Sequence, residues 1–398
     1  MVETPPRDGS AVVPAGITSA SYQTIRSLGR RGVGTIVASE DPSTPECVSR
    51  YCDERVEVPA PDEDLAGYRD ALLELATRED VRTIVPCSEA DAYVLSRYRD
   101  AFESHVSLVL PDLDALEVVH DRRQLVAAAR DAGVPAPQTR LLDEVHDWAP
   151  PLLVKSRYNL LTETYVDDWS ATGVEEVKEV THLDPGQRPD CASIREDMKH
   201  VPIVQEFVPD GGKYMFAALY HHGEPVSTYQ HRQIRGNSYV GGGGVYRKST
   251  DIDELEDVAR TLLGHLEWHG LACIEYLRDA ETGEFKLLEI NPRMWQSLPS
   301  TVCAGADFPV HYWLQATGRA DRIDPSYDLD VGSHMLYGEV KYLLSIRSDD
   351  SPHVDPPALG GELRNLLRSC ASQPHFDFLH ADDPRPFLQG IRQFVKRD

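Results

Sequence analysis

The segment Leu271 to Arg293, LACIEYLRDAETGEFKLLEINPR, constrains the chain more than any other. Two β-prone runs, Ala272 to Leu277 and Phe285 to Asn291, flank Asp279 to Glu284, which has the composition of a turn. The expectation is an antiparallel hairpin. With its turn centred near Glu281 and Thr282, Glu275 faces Glu289 across the strand pair, give or take one register step. Directly opposed carboxylates stand about 5 Å apart and repel each other, so a sheet does not keep them there for stability. A cation between them removes the conflict. The period of two along a strand puts Asn291 on the face of Glu289. Three hard oxygen donors with room for water and phosphate oxygens suit Mg²⁺ or Mn²⁺. The alternative sets both glutamates on the solvent face of an edge hairpin. Pro292 ends the second strand and Arg293 follows at once, placing a fixed cation where nucleotide phosphates could be clamped.

Upstream, the first 115 or so residues alternate short apolar runs with helix-like segments, the pattern of an open parallel sheet. Strands are expected at Ser10 to Pro14, Val33 to Ala38, Arg55 to Val58, Thr83 to Val85 and Val106 to Leu110. Gly16 and Thr18 form the first turn, Ser19 caps a helix running to Arg31, and further helices cover about Asp64 to Arg78 and Ala90 to Glu103. No GxGxxG follows the first strand, which disfavours a dinucleotide site and the nicotinamide oxidoreductase that would use it. Asp121 to Gly133 reads as one helix closed by glycine, and Val134-Pro135-Ala136-Pro137 as a rigid connector. Next come strands at Leu152 to Lys155 and Val201 to Phe207, and a turn at Pro209 to Gly212. A hairpin of Met215 to Tyr220 with Val226 to Arg232 follows, then a glycine run, Gly241 to Gly244, and a helix, Asp253 to His269.

Charge excludes one class of partner. With 65 acidic and 40 basic residues the formal net charge is −25, and such a field repels nucleic acid. The surface is acid-rich and poor in lysine, the balance of a halophilic protein whose self-repulsion is screened by counterions. No run reaches the length of a membrane span, and MVETPPRDGSAVVPAG lacks the features of a secretory leader, so a cytoplasmic protein is expected. Seven cysteines without a CxxC pair read as buried reduced thiols. His221, His222 and His269 show no ligand spacing and read as structural.

The string LLEINPR resembles the ATP-grasp family, whose members carry a strand glutamate and then a second strand reading E-I/V-N-x-R. The matching positions are Glu275, Glu289, Asn291 and Arg293. Upstream, HDRRQLVAAARDAGVPAP is similar to the family's opening helix and GVPxP connector, LLVKS to its strand with an ATP-contacting lysine, and IVQEFVP to its adenine-binding hinge. The resemblance covers roughly residues 116 to 320. It implies an α/β protein with a Rossmann-like pre-ATP-grasp domain over 1–115, an α+β ATP-grasp domain over 116–320 and a small helical C-terminal extension over 321–398.

The resemblance further implies ATP, with Mg²⁺ (or Mn²⁺) held by Glu275, Glu289 and Asn291. Lys155 would contact the adenine ring and α-phosphate, Glu206, Phe207 and Val208 would form the hinge, and Asp210 would bind ribose. Read without it, Lys155 is equally a surface lysine snorkelling from a strand end, and Phe207 a core residue. Arg122 stands where many relatives have lysine, keeping the charge as a planar fork within reach of a phosphate. Arg232 and Arg235, ahead of the glycine run, suit a phosphate or substrate carboxylate, the alternative being a solvated basic strand, and the glycine run itself is alternatively a flexible linker. The run SYVGGGGVYRKS resembles a branch of the superfamily described as ATP-dependent carboligases. A glycine-rich lid expected soon after Lys155 is missing, and SRYNLLTETYVDDWSATG carries aromatics and acids instead.

The implied reaction activates a small-molecule carboxylate as an acyl phosphate, which an amine converts to an amide with release of ADP and phosphate. Arg293, Arg232 and Arg235 are its catalytic candidates. A bicarbonate-using carboxylating enzyme and a non-catalytic ATP-binding module are the alternatives. The oligomeric state stays open, with a homodimer one option.

Overall fold

The structure, a computed structural model, describes residues 8–15, 19–167, 169–177, 180–349 and 354–397. The expected first turn at Gly16 and Thr18 lies outside them, as does the start of the chain before Asp8. Strands β1 (Ser10–Pro14), β2 (Gly34–Ser39), β3 (Glu54–Glu57) and β4 (Val81–Ile84) form a parallel sheet in the order β3-β2-β1-β4. Strands β1 and β2 are buried along their whole length, as the inner strands of a sheet covered on both faces must be. Helices α1 (Ser19–Arg30), α2 (Leu65–Ala76), α3 (Glu89–Arg97), α4 (Arg99–Glu103) and α5 (Leu113–His120) accompany it. The side chain of Asp64 caps α2, and a reciprocal box of Ser88 and Asp91 opens α3.

Two expectations need correction here. The helix read from Ala90 to Glu103 is broken at Tyr98, whose φ of −108° and ψ of 27° divide it into α3 and α4. The run Val106 to Leu110 joins no ladder. Ser107 N–H donates to the Arg82 carbonyl (3.0 Å), and Val109 N–H finds the Tyr312 hydroxyl (3.3 Å). Its apolar residues are buried beneath the rest of the chain, and an apolar run reports burial rather than strand pairing.

Helix α6 (Arg122–Asp131) leads to a second, antiparallel sheet of order β5-β8-β6-β7, made of β5 (Thr139–Leu141), β6 (Leu152–Lys155), β7 (Val180–Leu183) and β8 (Ile203–Glu206), with α7 (Cys191–Met198) before β8. The largest sheet follows, with the order β13-β12-β9-β10-β11-β14. Its strands are β9 (Asp210–His221), β10 (Glu224–Ser238), β11 (Gly241–Thr250), β12 (Gly270–Asp279), β13 (Phe285–Asn291) and β14 (Gly332–His334). The turn expected at Pro209 to Gly212 is the start of β9, and the glycine run opens β11 instead of linking domains. Helix α8 (Asp253–His265) stops short of His269.

Helices α9 (Leu298–Cys303) and α10 (Phe308–Ala316) precede β14, and α11 (Leu336–Ser348), α12 (Leu359–Ser372) and α13 (Arg385–Arg397) follow it. Two apolar clusters each take residues from the first sheet and from the largest one, so the two sheets share their cores. Gly270 permits the closest approach: its φ is +92°, and a Cβ there would collide with the backbone at Leu110. Seven cysteines are free thiols, of which Cys87 and Cys273 are fully buried and the others half-buried. No helix among the described residues is long and apolar enough to cross a membrane.

Candidate functional site

The expected hairpin forms with Glu275 directly opposite Glu289 and Cys273 opposite Asn291. A register shift just after Glu275 then pairs Tyr276 with Leu287. Asn291 Nδ2 donates to Glu289 Oε1 (3.1 Å), which fixes the pair of side chains on one face. On the other side of β12, β9 sets Met215 beside Glu275 and Lys213 beside Leu277, so strand alternation brings Lys213 to the carboxylate face. Glu275 is open to solvent and at the same time crowded by protein, as a residue on the floor of a groove is. Crowding first, and the Glu289 charge second, push its carboxyl up to about 7. Glu289 moves the other way. Burial opposes its ionisation, but the Arg122 charge and the Asn291 bond outweigh that and hold it below the usual carboxylate range.

Four cations surround the pair. Arg122 opens α6, which Asp121 caps, and its Nη2 donates to Glu289 Oε2 (3.0 Å) while Nη1 donates to the carbonyls of Ser156 (3.0 Å) and Tyr158 (3.2 Å). Lys155 ends β6 with its ammonium largely enclosed. Burial, then repulsion from Arg122, brings it down to about 8 against the pull of Glu289 and Glu275. Among the described residues, neither Lys155 nor Lys213 has a hydrogen-bonding partner for its ammonium, and Glu275 has none for its carboxylate. Desolvated charge without a partner is costly. Two carboxylates and an amide oxygen are a donor set for a hard divalent cation.

Arg293, the fourth cation, belongs to a network that sequence reasoning missed. Its Nε donates to Glu89 Oε1 (2.7 Å), its Nη2 to Asn291 Oδ1 (3.2 Å) and its Nη1 to the Met294 carbonyl (3.0 Å). Glu89 Oε2 meets His120 Nε2 (3.0 Å), and His120 Nδ1 meets the Tyr165 hydroxyl (3.1 Å). Burial opposes ionisation of Glu89, yet Arg293 and His120 together bring it down to about 2. Burial likewise opposes the Arg293 charge, and Glu89 overcomes it. Glu89 sits where the chain leaves β4, at the carboxyl edge of the parallel sheet. An acid at such an edge is the sequence signal that could have found it.

Tyr165 comes from the segment that stands in place of a glycine-rich lid. This segment is strapped to the amino-terminal layer. Thr164 Oγ1 meets the Tyr93 hydroxyl (2.7 Å) and accepts from Arg97 Nη1 (3.0 Å), and Leu65 N–H donates to the Thr172 carbonyl (2.9 Å). At Gly173 any side chain would overlap the Asp62 carbonyl.

The remaining candidates are scattered. Glu206, at the end of β8, accepts from Lys286 Nζ (3.3 Å), Phe207 is exposed, and Val208 is buried. Asp210 is exposed, accepts from Gly212 N–H (2.7 Å) and faces Asp279, at the turn end of the carboxylate hairpin. Arg232 is in register with Tyr214 and so points to the sheet face opposite Glu275, its guanidinium lying over the Tyr214 ring. Arg235 donates to Glu339 Oε2 (2.7 Å) between the rings of Tyr246 and Tyr342. Neither arginine reaches the carboxylates, because β10 alternates Arg232 to the far face and bulges before Arg235.

No family model matches the chain. A stretch of 53 residues, 13% of the chain, is 43% identical to acetyl-CoA carboxylase 1 of Oryza sativa subsp. japonica and spans 2% of that protein. Solved structures cover far more. An L-amino acid ligase from Bacillus licheniformis superposes with a TM-score of 0.58 over 82% of this chain and 79% of its own, at 14% identity. An N5-carboxyaminoimidazole ribonucleotide synthetase bound to ADP gives 0.57 over 82% and 81%, at 16% identity. Pyruvate carboxylase from Rhizobium etli gives 0.60 over 81% of this chain, at 15% identity, but this chain spans only 29% of it.

Proposed function

We propose that this chain, whose fold is the ATP-grasp fold of those enzymes, is an ATP-dependent carboxylate–amine ligase that releases ADP and phosphate. The observation that carries the reading is the convergence of Lys155, Lys213 and Glu275, all without partners, beside Glu289, Asn291 and Arg122. Glu275, Glu289 and Asn291 would hold Mg²⁺, whose contribution when bound is to neutralise charge on the phosphates. Lys155, Lys213 and Arg122 would bind phosphate oxygens. Glu206, Phe207 and Val208 would frame the adenine, with Asp210 on the ribose.

The acceptor acid would lie where the carboxyl edge of the first sheet meets the residues after β13. There Met294 N–H donates to the Pro86 carbonyl (2.9 Å) and Ser19 Oγ to the Gln296 carbonyl (2.5 Å). Arg293, anchored by Glu89, faces that junction and replaces Arg232 and Arg235 as the cation that orients the acid. Positioning and fixed charge then supply the catalysis, and no covalent nucleophile is needed.

The test is product analysis over a panel of acids and amines. ADP and phosphate are expected, and hydroxylamine in place of the amine should trap the activated acid as a hydroxamate. Formation of AMP, or nucleotide bound tightly yet hydrolysed with no substrate pair, would overturn the ligase reading. The carboxylases among the similar structures favour a second reading, carboxylation with bicarbonate. ADP release that depends on bicarbonate and needs no other acid would select it.

A further inference from the structure

We propose that His221, His222 and His269 form a binding site for a transition-metal ion of the zinc type, separate from the carboxylate groove. His221 ends β9, His222 begins the two-residue turn to β10, and His269 immediately precedes β12. Their positions in sequence hide the grouping, since the turn and the approach to β12 meet only once β9 and β12 pair, with Tyr220 opposite Gly270. Gly223 N–H then ties the turn to the Trp268 carbonyl (2.8 Å). One ring nitrogen from each histidine lies within 4.8 Å of the other two, and no other trio of His, Cys, Asp or Glu among the described residues meets that spacing. Glu275 pairs with Met215, six residues before His221 on β9 and so roughly 20 Å away at 3.4 Å per residue, and the two sites do not share ligands.

The chemistry of the trio favours a metal over a proton. Ring centroids stand 4.2, 4.7 and 5.5 Å apart, and imidazoles this close repel one another when protonated. The neutral imidazole is the form that ligates metals, and three rings this close disfavour one another's protonation. Imidazole nitrogens at about 2.0–2.1 Å around zinc stand roughly 3.4 Å from one another in a tetrahedron, so nitrogens that lie within 4.8 Å of one another close by up to about 1.4 Å. His222 and His269, now stacked at 6°, fan apart to converge their lone pairs, and the long bond that His269 Nδ1 accepts from His222 N–H (3.3 Å) gives way. Nitrogen donors select Zn²⁺, Ni²⁺ or Cu²⁺ over Mg²⁺, and the −25 field gathers cations of either kind. Bound metal would staple the β9–β10 turn to the start of β12.

The test is calorimetric titration of ZnCl₂ into the chelator-stripped full-length chain, with excess Mg²⁺ present to occupy the carboxylates. One equivalent of zinc should bind. His269→Gln and His222→Asn should each weaken it at least about tenfold, and Glu289→Gln should leave it unchanged. Asn keeps the left-handed conformation that His222 adopts at φ +48°, so the turn survives the change. Circular dichroism checks that each variant is folded, and the Co²⁺ absorption spectrum of the unaltered protein gives an answer that needs no variant. A tetrahedral nitrogen-ligand spectrum supports the site. Failure to bind zinc, binding indifferent to both histidine changes, or an octahedral Co²⁺ spectrum would each overturn it.

Discussion

The hairpins β10–β11 and β12–β13 belong to one sheet, carry dense charge and are interrupted by register shifts, yet they treat that charge in opposite ways. Along β10–β11 three long cations are neutralised, Arg247 by Asp377, Arg235 by Glu339 and Lys248 by Asp330, each at 2.7 Å, while Arg232 lies over the Tyr214 ring. Along β12–β13, Glu275 faces Glu289 with unpartnered Lys155 and Lys213 nearby. A charge matched by the protein holds the architecture together, whereas charges left open in a crowded groove are the ones that carry the ligase proposal. Residue type alone does not separate the two cases.

The largest effect should come from breaking the matched side of this contrast. Arg247 and Asp377 are 1% and 0% exposed, so Arg247→Met strands a buried carboxylate and should cost about 3–5 kcal/mol in denaturant unfolding. Arg247 Nε and Asp377 Oδ1 lack partners even in the intact pair. The double change Arg247→Met with Asp377→Leu should therefore recover most of the loss. A single variant as stable as the parent would show that charge matching does not hold this ribbon.

The open side should respond in function instead. Glu289→Gln is expected to lower ADP-forming turnover roughly 100-fold, the scale for removing one group that stabilises developing charge. Stability should change little, because the lost bond to Arg122 is offset by relief from Glu275. Calorimetry gives the decisive check: equal affinity of the parent protein for ATP with Mg²⁺ and with chelator would remove Glu275 and Glu289 as ligands.

What could be read in advance follows the same division. The hairpin register was legible because two short strands, a turn and a period of two determine it locally, and Glu275 does face Glu289. The parallel sheet was legible from its alternating runs, apart from Val106 to Leu110, where burial imitates a strand. The fates of Arg235 and Arg247 were not, since their partners lie 104 and 130 residues further along the chain. Glu89 and His120 were hidden for the same reason: Arg293 lies 204 residues from Glu89. Sequence pattern reports what neighbours along a strand do, and the tertiary fold decides which charges are met.

A third prediction places Glu89 between the two classes, as a matched charge that serves the open site. Glu89→Gln removes the carboxylate that orients Arg293 while keeping its shape, and should lower turnover about 10-fold with nucleotide affinity unchanged. Tyr165→Phe, one bond further out on His120, should do less. A purely structural role would instead move affinity and stability together and leave turnover per bound substrate intact.

The smallest effect concerns a group on β10 that burial keeps neutral. His231 packs against Ser297 Oγ (3.0 Å), and burial first, then the Arg247 charge, push its imidazole down to about 3. The unfolded chain titrates near 6.5, so above that pH both states are neutral and the full stability is present. As pH falls below 6.5 the unfolded chain takes up a proton that the native one refuses, and stability drops by about 1.4 kcal/mol per pH unit until the folded value is reached. His311 and His380, both pushed down to about 4 by burial, act in the same direction. Between pH 6.5 and 5 ordinary carboxylates remain ionised in both states, whereas Glu275, pushed up to about 7 in the folded chain, takes up its proton there and works against the histidines, so the share of His231 is read from the difference between parent and variant. His231→Gln keeps a donor for Ser297 and should flatten that slope by about 1 kcal/mol per unit. Superimposable slopes for parent and variant would mean that His231 is protonated in the folded protein beside Arg247, and β10 would then join β12–β13 in carrying a charge that the chain leaves unmet.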